Sequence, residues 1–540
     1  MTSYQDESKS RFVAQANDPT VTSLTVNRGD WDKRAGQAIG DSETLRELVI
    51  NMLHRETDCT WFGELLPYLL RNRSITKLSI IFISIGVVGY KYNLQKDIFR
   101  SLIPFIEHNN NLVYIEFACG PISMLRSLSC ALSSCKNKRL ERIDLRRIQN
   151  EGDYREFYYG EFFASLNGYN NLSHVRVVDC KIGADGVKES SNLLKKPASS
   201  ICRLHLEKNS LNDDHITILG NGVIGNKNLT SISFGENPSI TAVGCERLSH
   251  LFVYPECALQ TFQLGCTDLD DEGVTFLGNA LTINKSIKSV SLTGNDAITL
   301  EGLRGLLQCM RNPDTSLVDL ILSNCGINDE GVGLIMEKVA QSVSLKTLCM
   351  SNNVITSRGL KTIYHAMFNC ELSLEVIGLR ENEGIDFDDF EEEDLLVFPR
   401  AICDKSSINN TFYSNHTIQS IELDEYDPYE NRDYDDPVID RMFEIDDDRR
   451  ELLDMNCNKN KVEVARKKIM RSHFSGEAVD ISVFALMPET LLPHAIEWIG
   501  RDREDRFGFS LMYQFVAGNP LYFSDDNYSS RAAKKLKQSS

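Results

Sequence analysis

A side chain that does chemistry at neutral pH needs a partner at a fixed spacing: a base beside a nucleophile, paired ligands around a metal, or glycines around a phosphate. The 540-residue chain offers few such pairs. It contains no Gly-rich phosphate loop, no GxSxG elbow, no HExxH and no CxxC pair among its 15 cysteines. His494 and Glu497 stand one helical turn apart, a spacing that suits a surface contact better than a metal site. The run FDDFEEED from Phe387 to Asp394 is rich in oxygen ligands but lacks the calcium-loop pattern D-x-[DN]-x-[DN]-G. His174 and His205 have no nucleophile set beside them. No catalytic residue, metal or cofactor is therefore expected, and the chain reads as a non-enzyme.

The chain does offer a set of long side chains suited to binding: Lys77, Tyr114, Arg142, Arg146, His174, Arg176, Arg203 and His205. Arginine and tyrosine anchor interfaces well, and an arginine fork holds a carboxylate at two points. The expected partner is a protein with an acidic surface. Glu116, Asp144 and Glu207 are interleaved with these residues and compete as internal partners. From Ser231 to Ser351 the equivalent positions are mostly Ser, Thr and Gly, with Asp319 and Ile321 as exceptions. One half of the expected surface is thus rich in arginine, and the other is a smoother strip.

These residues occupy the third, fifth and seventh places of a repeat, LxxLxLxxN with substitutions. Its regular copies start at Leu172, Ile201, Leu229, Leu259, Ile287, Leu317, Leu345 and Leu374, with steps of 29, 28, 30, 28, 30, 28 and 29 residues. Weaker copies begin upstream at Leu140, Leu112, Ile75, Leu45 and Val21, and one follows downstream at Ile418, about 14 units in all. The LxL core alternates in and out, as a strand with one buried face must. Asn, Cys or Thr fills the ninth place, where a buried polar group can satisfy backbone at the turn. An acidic residue and Gly follow in Asp185-Gly186, Glu272-Gly273, Glu301-Gly302 and Glu330-Gly331, and a carboxylate suits a starting helix. Apolar residues at helical spacing come next, as in Val332, Ile335, Met336 and Val339.

On these residues the chain resembles the ribonuclease-inhibitor-like leucine-rich repeats. The resemblance implies an α/β solenoid: a right-handed βα horseshoe, with parallel strands on the concave face and helices outside. It speaks for fold and little for function. The segments LLPHAIEWIGRD and SLMYQ look similar to tails of repeat proteins from algae, which implies no function.

The expected organisation is a polar N-terminal tail at 1–20, frayed at its end, and a solenoid at 21–425 with a mobile, dispensable acidic insertion at 386–412. An acidic linker at 426–450, a helical C-terminal module at 451–523 and a basic polar tail at 524–540 complete the chain. Lys461 to Met470 reads as an exposed basic helix, and the module as a cap on the open end of the solenoid or, alternatively, a docking element for a partner helix. The net charge is −19; residues 381–450 hold 23 Asp and Glu against 6 Lys and Arg, so the remainder is near neutral. A broad basic surface for nucleic acid is not expected. Neither a membrane span nor a secretory signal is evident, which points to the cytoplasm or nucleus. The function expected is a protein-binding scaffold or adaptor. The alternatives are a GTPase-activating protein resembling the Ran-directed type and a ubiquitin-ligase substrate receptor.

Overall fold

The computed structural model describes residues 2–27, 30–53, 60–83, 97–120, 122–136, 138–148, 157–197, 199–370, 372–386, 389–391, 397, 400–406, 410–411, 414–423, 453, 455–457 and 461–474. The chain falls into two compact units, Met1–Cys325 and Gly326–Ser540.

The first unit alternates helix and strand. It holds α1 (Thr2–Asn17), β1 (Ser23–Val26), α2 (Lys33–Asp41), β2 (Glu47–Leu53), α3 (Thr60–Arg71), β3 (Lys77–Ile83), α4 (Asp97–His108), β4 (Tyr114–Ala118), α5 (Ile122–Ser134), β5 (Arg142–Arg146) and α6 (Phe157–Ser165). Next come β6 (His174–Val178), α7 (Gly183–Leu194), β7 (Arg203–His205), α8 (Asp213–Ile224), β8 (Ser231–Ser233), α9 (Ala242–Phe252), β9 (Thr261–Gln263), α10 (Asp271–Ile283), β10 (Ser289–Ser291), α11 (Leu300–Leu306) and β11 (Asp319–Ile321). The second unit holds α12 (Asp329–Val339), β12 (Thr347–Cys349), α13 (Ser357–Asn369), β13 (Val376–Gly378), β14 (Ser420–Glu422) and α14 (Lys461–Phe474). The fourteen strands follow one another in chain order, and the described pairs within each unit are parallel. This is an α/β leucine-rich-repeat solenoid, with one strand at each copy of the repeat.

Each position of the repeat has its structural reason. The first, fourth and sixth residues are buried, as in Leu172, Val175 and Val177, and form one wall of the core. The eighth residue turns the chain out of the strand with a left-handed backbone, from Arg147 (φ 51°) through Asp179, Lys208 and Glu236 to Glu381 (φ 58°). Its N–H donates to the seventh carbonyl of the next repeat, as from Glu236 to Gly265 at 2.7 Å. Gly294 fills the same place with φ 78°, where a Cβ would also strike the Cys266 sulfur.

The ninth residues form a ladder of buried amides. Asn237 Oδ1 accepts from the N–H groups of Asn209 and Leu211 at 2.8 and 2.9 Å, and its Nδ2 donates to Leu206 O and Phe234 O at 3.1 and 2.7 Å. Cys325 fills the place with a thiol 3.3 Å from Leu292 O. The helices start as expected, with Asp185, Glu272, Glu301 and Glu330 in their first turns.

Three expectations are corrected. Thr2–Asn17 is a helix, α1, that packs on α2 and buries Phe12 and Ala16; two apolar residues one turn apart suffice to hold a polar helix down. The insertion 386–412, expected to be a mobile loop, buries Phe390, Ala401, Ile402, Cys403 and Thr411 in its described part. The helix at Lys461–Phe474 is not exposed all round: Val464, Ala465, Lys468 and Ile469 form a buried stripe. The linker 426–450 and residues 475–540 lie outside the described residues, together with His494 and Glu497.

Candidate functional site

The predicted contact residues come together on the open face of the first unit, because parallel register stacks equivalent positions. One row reads Glu47, Lys77, Tyr114, Arg142, His174, Arg203 and Ser231 across β2 to β8. The next reads Ser79, Glu116, Asp144, Arg176, His205 and Ser233 across β3 to β8. Arg146 follows beside Val178.

Their charges are unevenly satisfied. Arg142 forks onto Asp144, with Nε at 3.2 Å and Nη2 at 2.8 Å. Arg146 Nη2 bridges Glu116 at 3.1 Å and Asp144 at 3.4 Å. The Tyr114 hydroxyl donates to Asp144 at 3.0 Å, and Ser79 donates to Glu116 at 2.8 Å. The Tyr114 ring lies between two cations, with Lys77 Nζ and Arg142 Cζ each 4.8 Å from its centroid. Lys77 is itself held by Glu47 at 2.5 Å. Asp144 is 0% exposed. Burial pushes its carboxyl up, but Arg142, Tyr114 and Arg146 outweigh that and hold it below the ordinary carboxylate range. Burial and the charges of Asp144 and Glu116 raise the Tyr114 phenol well above its usual range, so it stays a neutral donor.

Arg176 and Arg203 are different. Neither finds a carboxylate within ion-pair distance among the described residues; the buried Nε of Arg176, like that of Arg146, has no hydrogen-bond partner. In register Arg176 sits beside Asp144, whose oxygens are already occupied. Glu207, the other nearby acid, faces His205 Nδ1 at 3.4 Å and leaves its buried Oε2 unpartnered. His174 has its pKa lowered by burial and by Arg203 and Arg142, so it stays neutral, 2.7 Å from Ser173 Oγ. The face therefore presents two unneutralised guanidinium groups beside neutral His174.

The Ser, Thr and Gly half is built by close backbone approach. A Cβ on Gly265 would lie 2.5 Å from Thr293 O, and one on Gly235 3.2 Å from Gly265 O. Ser233 is buried. That strip offers little for a partner to hold.

The pattern in the sequence did not reveal a second polar ladder, three residues before the repeat start. Asn72, Asn226 and Asn284 accept from the N–H groups of Ile75, Leu229 and Ile287 at 2.9, 2.9 and 2.7 Å. The spacing Asn-x-x-Leu or Asn-x-x-Ile was the available signal. Among the described residues no group of three or more His, Cys, Asp and Glu is placed to hold a metal ion.

With this geometry in hand, comparisons place the repeat. A family model described as "Leucine Rich repeat" matches residues 284–307 and 314–336. The chain is 25% identical over 311 residues to the mouse NACHT, LRR and PYD domains-containing protein 14, covering 55% of this chain and 30% of that protein. It is 27% identical over 226 residues to the human NACHT, LRR and PYD domains-containing protein 5, covering 41% of this chain and 18% of that one. The chain thus spans less than a third of the length of these relatives. Among solved structures, the yeast Rad7 and Elc1 complex covers 66% of this chain and 91% of its own at 16% identity, with a TM-score of 0.40. An internalin from Listeria monocytogenes covers 66% and 86% at 17% identity, with a TM-score of 0.30.

Proposed function

This chain belongs to the leucine-rich-repeat proteins, and from that premise we propose that it is a non-catalytic scaffold whose open sheet face docks an acidic protein surface. The observation that carries the reading is the uneven pairing of its arginines. Asp144 and Glu116 occupy Arg142 and Arg146, while Arg176 and Arg203 stand without a carboxylate among the described residues. A partner's Asp or Glu would supply the missing acceptors, and the Tyr114 and His174 rings give flat area beside them. No described helix is long and apolar enough to cross a membrane. We place the protein in the cytoplasm or nucleus as part of the same proposal.

The test is affinity purification of the full chain with cross-linking, followed by binding of the recovered partner to variants. Arg176→Glu with Arg203→Glu should weaken binding at least about tenfold, or ~1.4 kcal/mol. Ser291→Glu with Ser323→Glu should do less. If the serine pair costs more, or neither pair matters, the docking face lies elsewhere. Arg146 is a poor probe, because its reversal would break the bridge between Glu116 and Asp144.

A further inference from the structure

In the first unit, four successive turns that lead from the helical side into the next strand carry a regular row of charges. Lys227, Glu256, Lys285 and Asp314 stand 29 residues apart, one in each turn before the repeat starts at Leu229, Leu259, Ile287 and Leu317. All four are exposed, and their signs alternate. Lys227 Nζ meets Glu256 Oε2 at 2.9 Å, and Lys285 Nζ meets Asp314 Oδ2 at 3.1 Å. No ion pair joins Glu256 to Lys285 among the described residues. Exposed pairs of this kind add little to the stability of a fold.

An apolar row accompanies the charges. Ile224 ends α8, Tyr254 follows the end of α9 and Ile283 ends α10; they are 40%, 38% and 64% exposed. Pro313 holds the place before Asp314 in the fourth turn and is also exposed. Between the ends of α8 and α9 a shallow cleft is lined by Ile224, Leu251, Tyr254 and Leu259. Single exposed apolar residues are ordinary, but a row repeated in successive turns marks a contact surface.

The order of the charges selects the occupant. A row that reads plus, minus, plus, minus is its own complement when reversed. A second copy, turned about a two-fold axis that passes between Glu256 and Lys285, sets Lys227 against Asp314 of the second copy and Glu256 against Lys285 of the second copy. Each contact then occurs twice, as in any isologous interface. The same turn sets Tyr254 against Ile283 and Ile224 against Pro313, apolar on apolar. A copy laid in the same direction and register would set like charge on like. We propose that this row is a self-docking surface, through which two copies of the chain associate about a two-fold axis. It lies in turns outside the strands, separate from the arginines of the open sheet face.

The experiment is sedimentation velocity of the full chain from about 1 to 100 μM, because an interface of four turns is small and its association weak. The wild type should show a monomer–dimer equilibrium. Tyr254→Asp with Ile283→Asp should weaken it at least about tenfold, with circular dichroism unchanged. Glu256→Lys alone and Lys285→Glu alone should each weaken it by a similar factor, because each sets like charges together twice. An equimolar mixture of those two variants should associate again: the altered residues of the two chains meet each other, and the unaltered Lys285 and Glu256 meet across the other contact. Arg176→Glu with Arg203→Glu should leave the equilibrium as it was, which separates this surface from the open face. A chain that stays monomeric throughout the range, a dimer indifferent to the Tyr254 and Ile283 changes, or a mixture that remains monomeric would overturn the proposal.

Discussion

Asp144 occupies a strand position that points away from the core, yet none of its surface is exposed, because Arg142, Arg146 and Tyr114 close over it. It is held by two arginines and a phenol, so Asp144→Asn should cost about 2 kcal/mol, a figure reduced by the exposure of both arginines. The effect should depend on pH. A carboxylate whose folded pKa is depressed stabilises the fold fully above its unfolded pKa, ~3.9. That contribution is lost as pH falls through the depressed folded value. Thermal melts should therefore show the largest gap between wild type and Asp144→Asn near neutral pH, closing in acid. A gap that stays constant from neutral pH into strong acid would mean that the ion pairs do not stabilise the fold.

At the scale of elements, neighbouring repeats are coupled in pairs. Thr299 caps α11, and its N–H and Oγ1 donate to Asp271 at the start of α10 at 2.7 and 2.5 Å. Thr241 does the same to Asp213, and in the second unit Thr356 to Asp329. A Thr-capped repeat thus leans on a carboxylate of the repeat before it. The Gly three residues after each Thr makes room: a Cβ on Gly302 would lie 2.3 Å from Asp271 Oδ1. Gly302→Ala should displace that carboxylate and cost about 1–2 kcal/mol, comparable to losing a helix cap, despite the higher helix propensity of Ala. Asn237→Ala should cost more, on the order of 3 kcal/mol, since it strips buried N–H and C=O groups of several partners. Urea unfolding measures both; near-neutral values would show that the amide ladder is replaceable by water.

At the scale of the whole molecule, the second unit shows how a break in the repeat is closed. Between β13 and β14 the chain inserts residues among which Phe390, Ala401, Ile402 and Cys403 are buried, and α14 lies against that insertion. The ammonium of Lys468, 0% exposed, donates to Ile402 O at 2.7 Å and Asn415 O at 2.9 Å. Cys403 Sγ lies 3.4 Å from Ser472 Oγ. Asn456 Nδ2 donates to Ile418 O, beside β14. Lys468→Met keeps most of the volume but leaves two buried carbonyls short of a donor, so it should lower stability by about 1–3 kcal/mol. Deleting 386–412 should lower the melting temperature by more than a few degrees, because it exposes the apolar stripe of α14. Retained stability in both variants would mean that α14 does not close this unit.

Much of this was legible in the chain itself. The LxxLxLxxN period set the strands, their buried faces and the ninth-place amides, because alternation along a strand and spacing along a helix are local properties. It also placed Lys77, Tyr114, Arg142, Arg146, His174, Arg176, Arg203 and His205 on one face, since a regular step carries equivalent positions into register. Which arginine is free was decided only by the fold. Asp144 meets Arg142 and Arg146 on its own strand, Arg146 also reaches Glu116 on the neighbouring one, and distances of 2.8 to 3.4 Å settle who is neutralised. Charge misled at the insertion and at α14, where charged and apolar residues are nearly equal in number. There a few side chains, Phe390, Ile402, Val464 and Ile469, find burial with partners far along the chain. Periodicity records how a residue faces its own element; only tertiary contact decides what covers it.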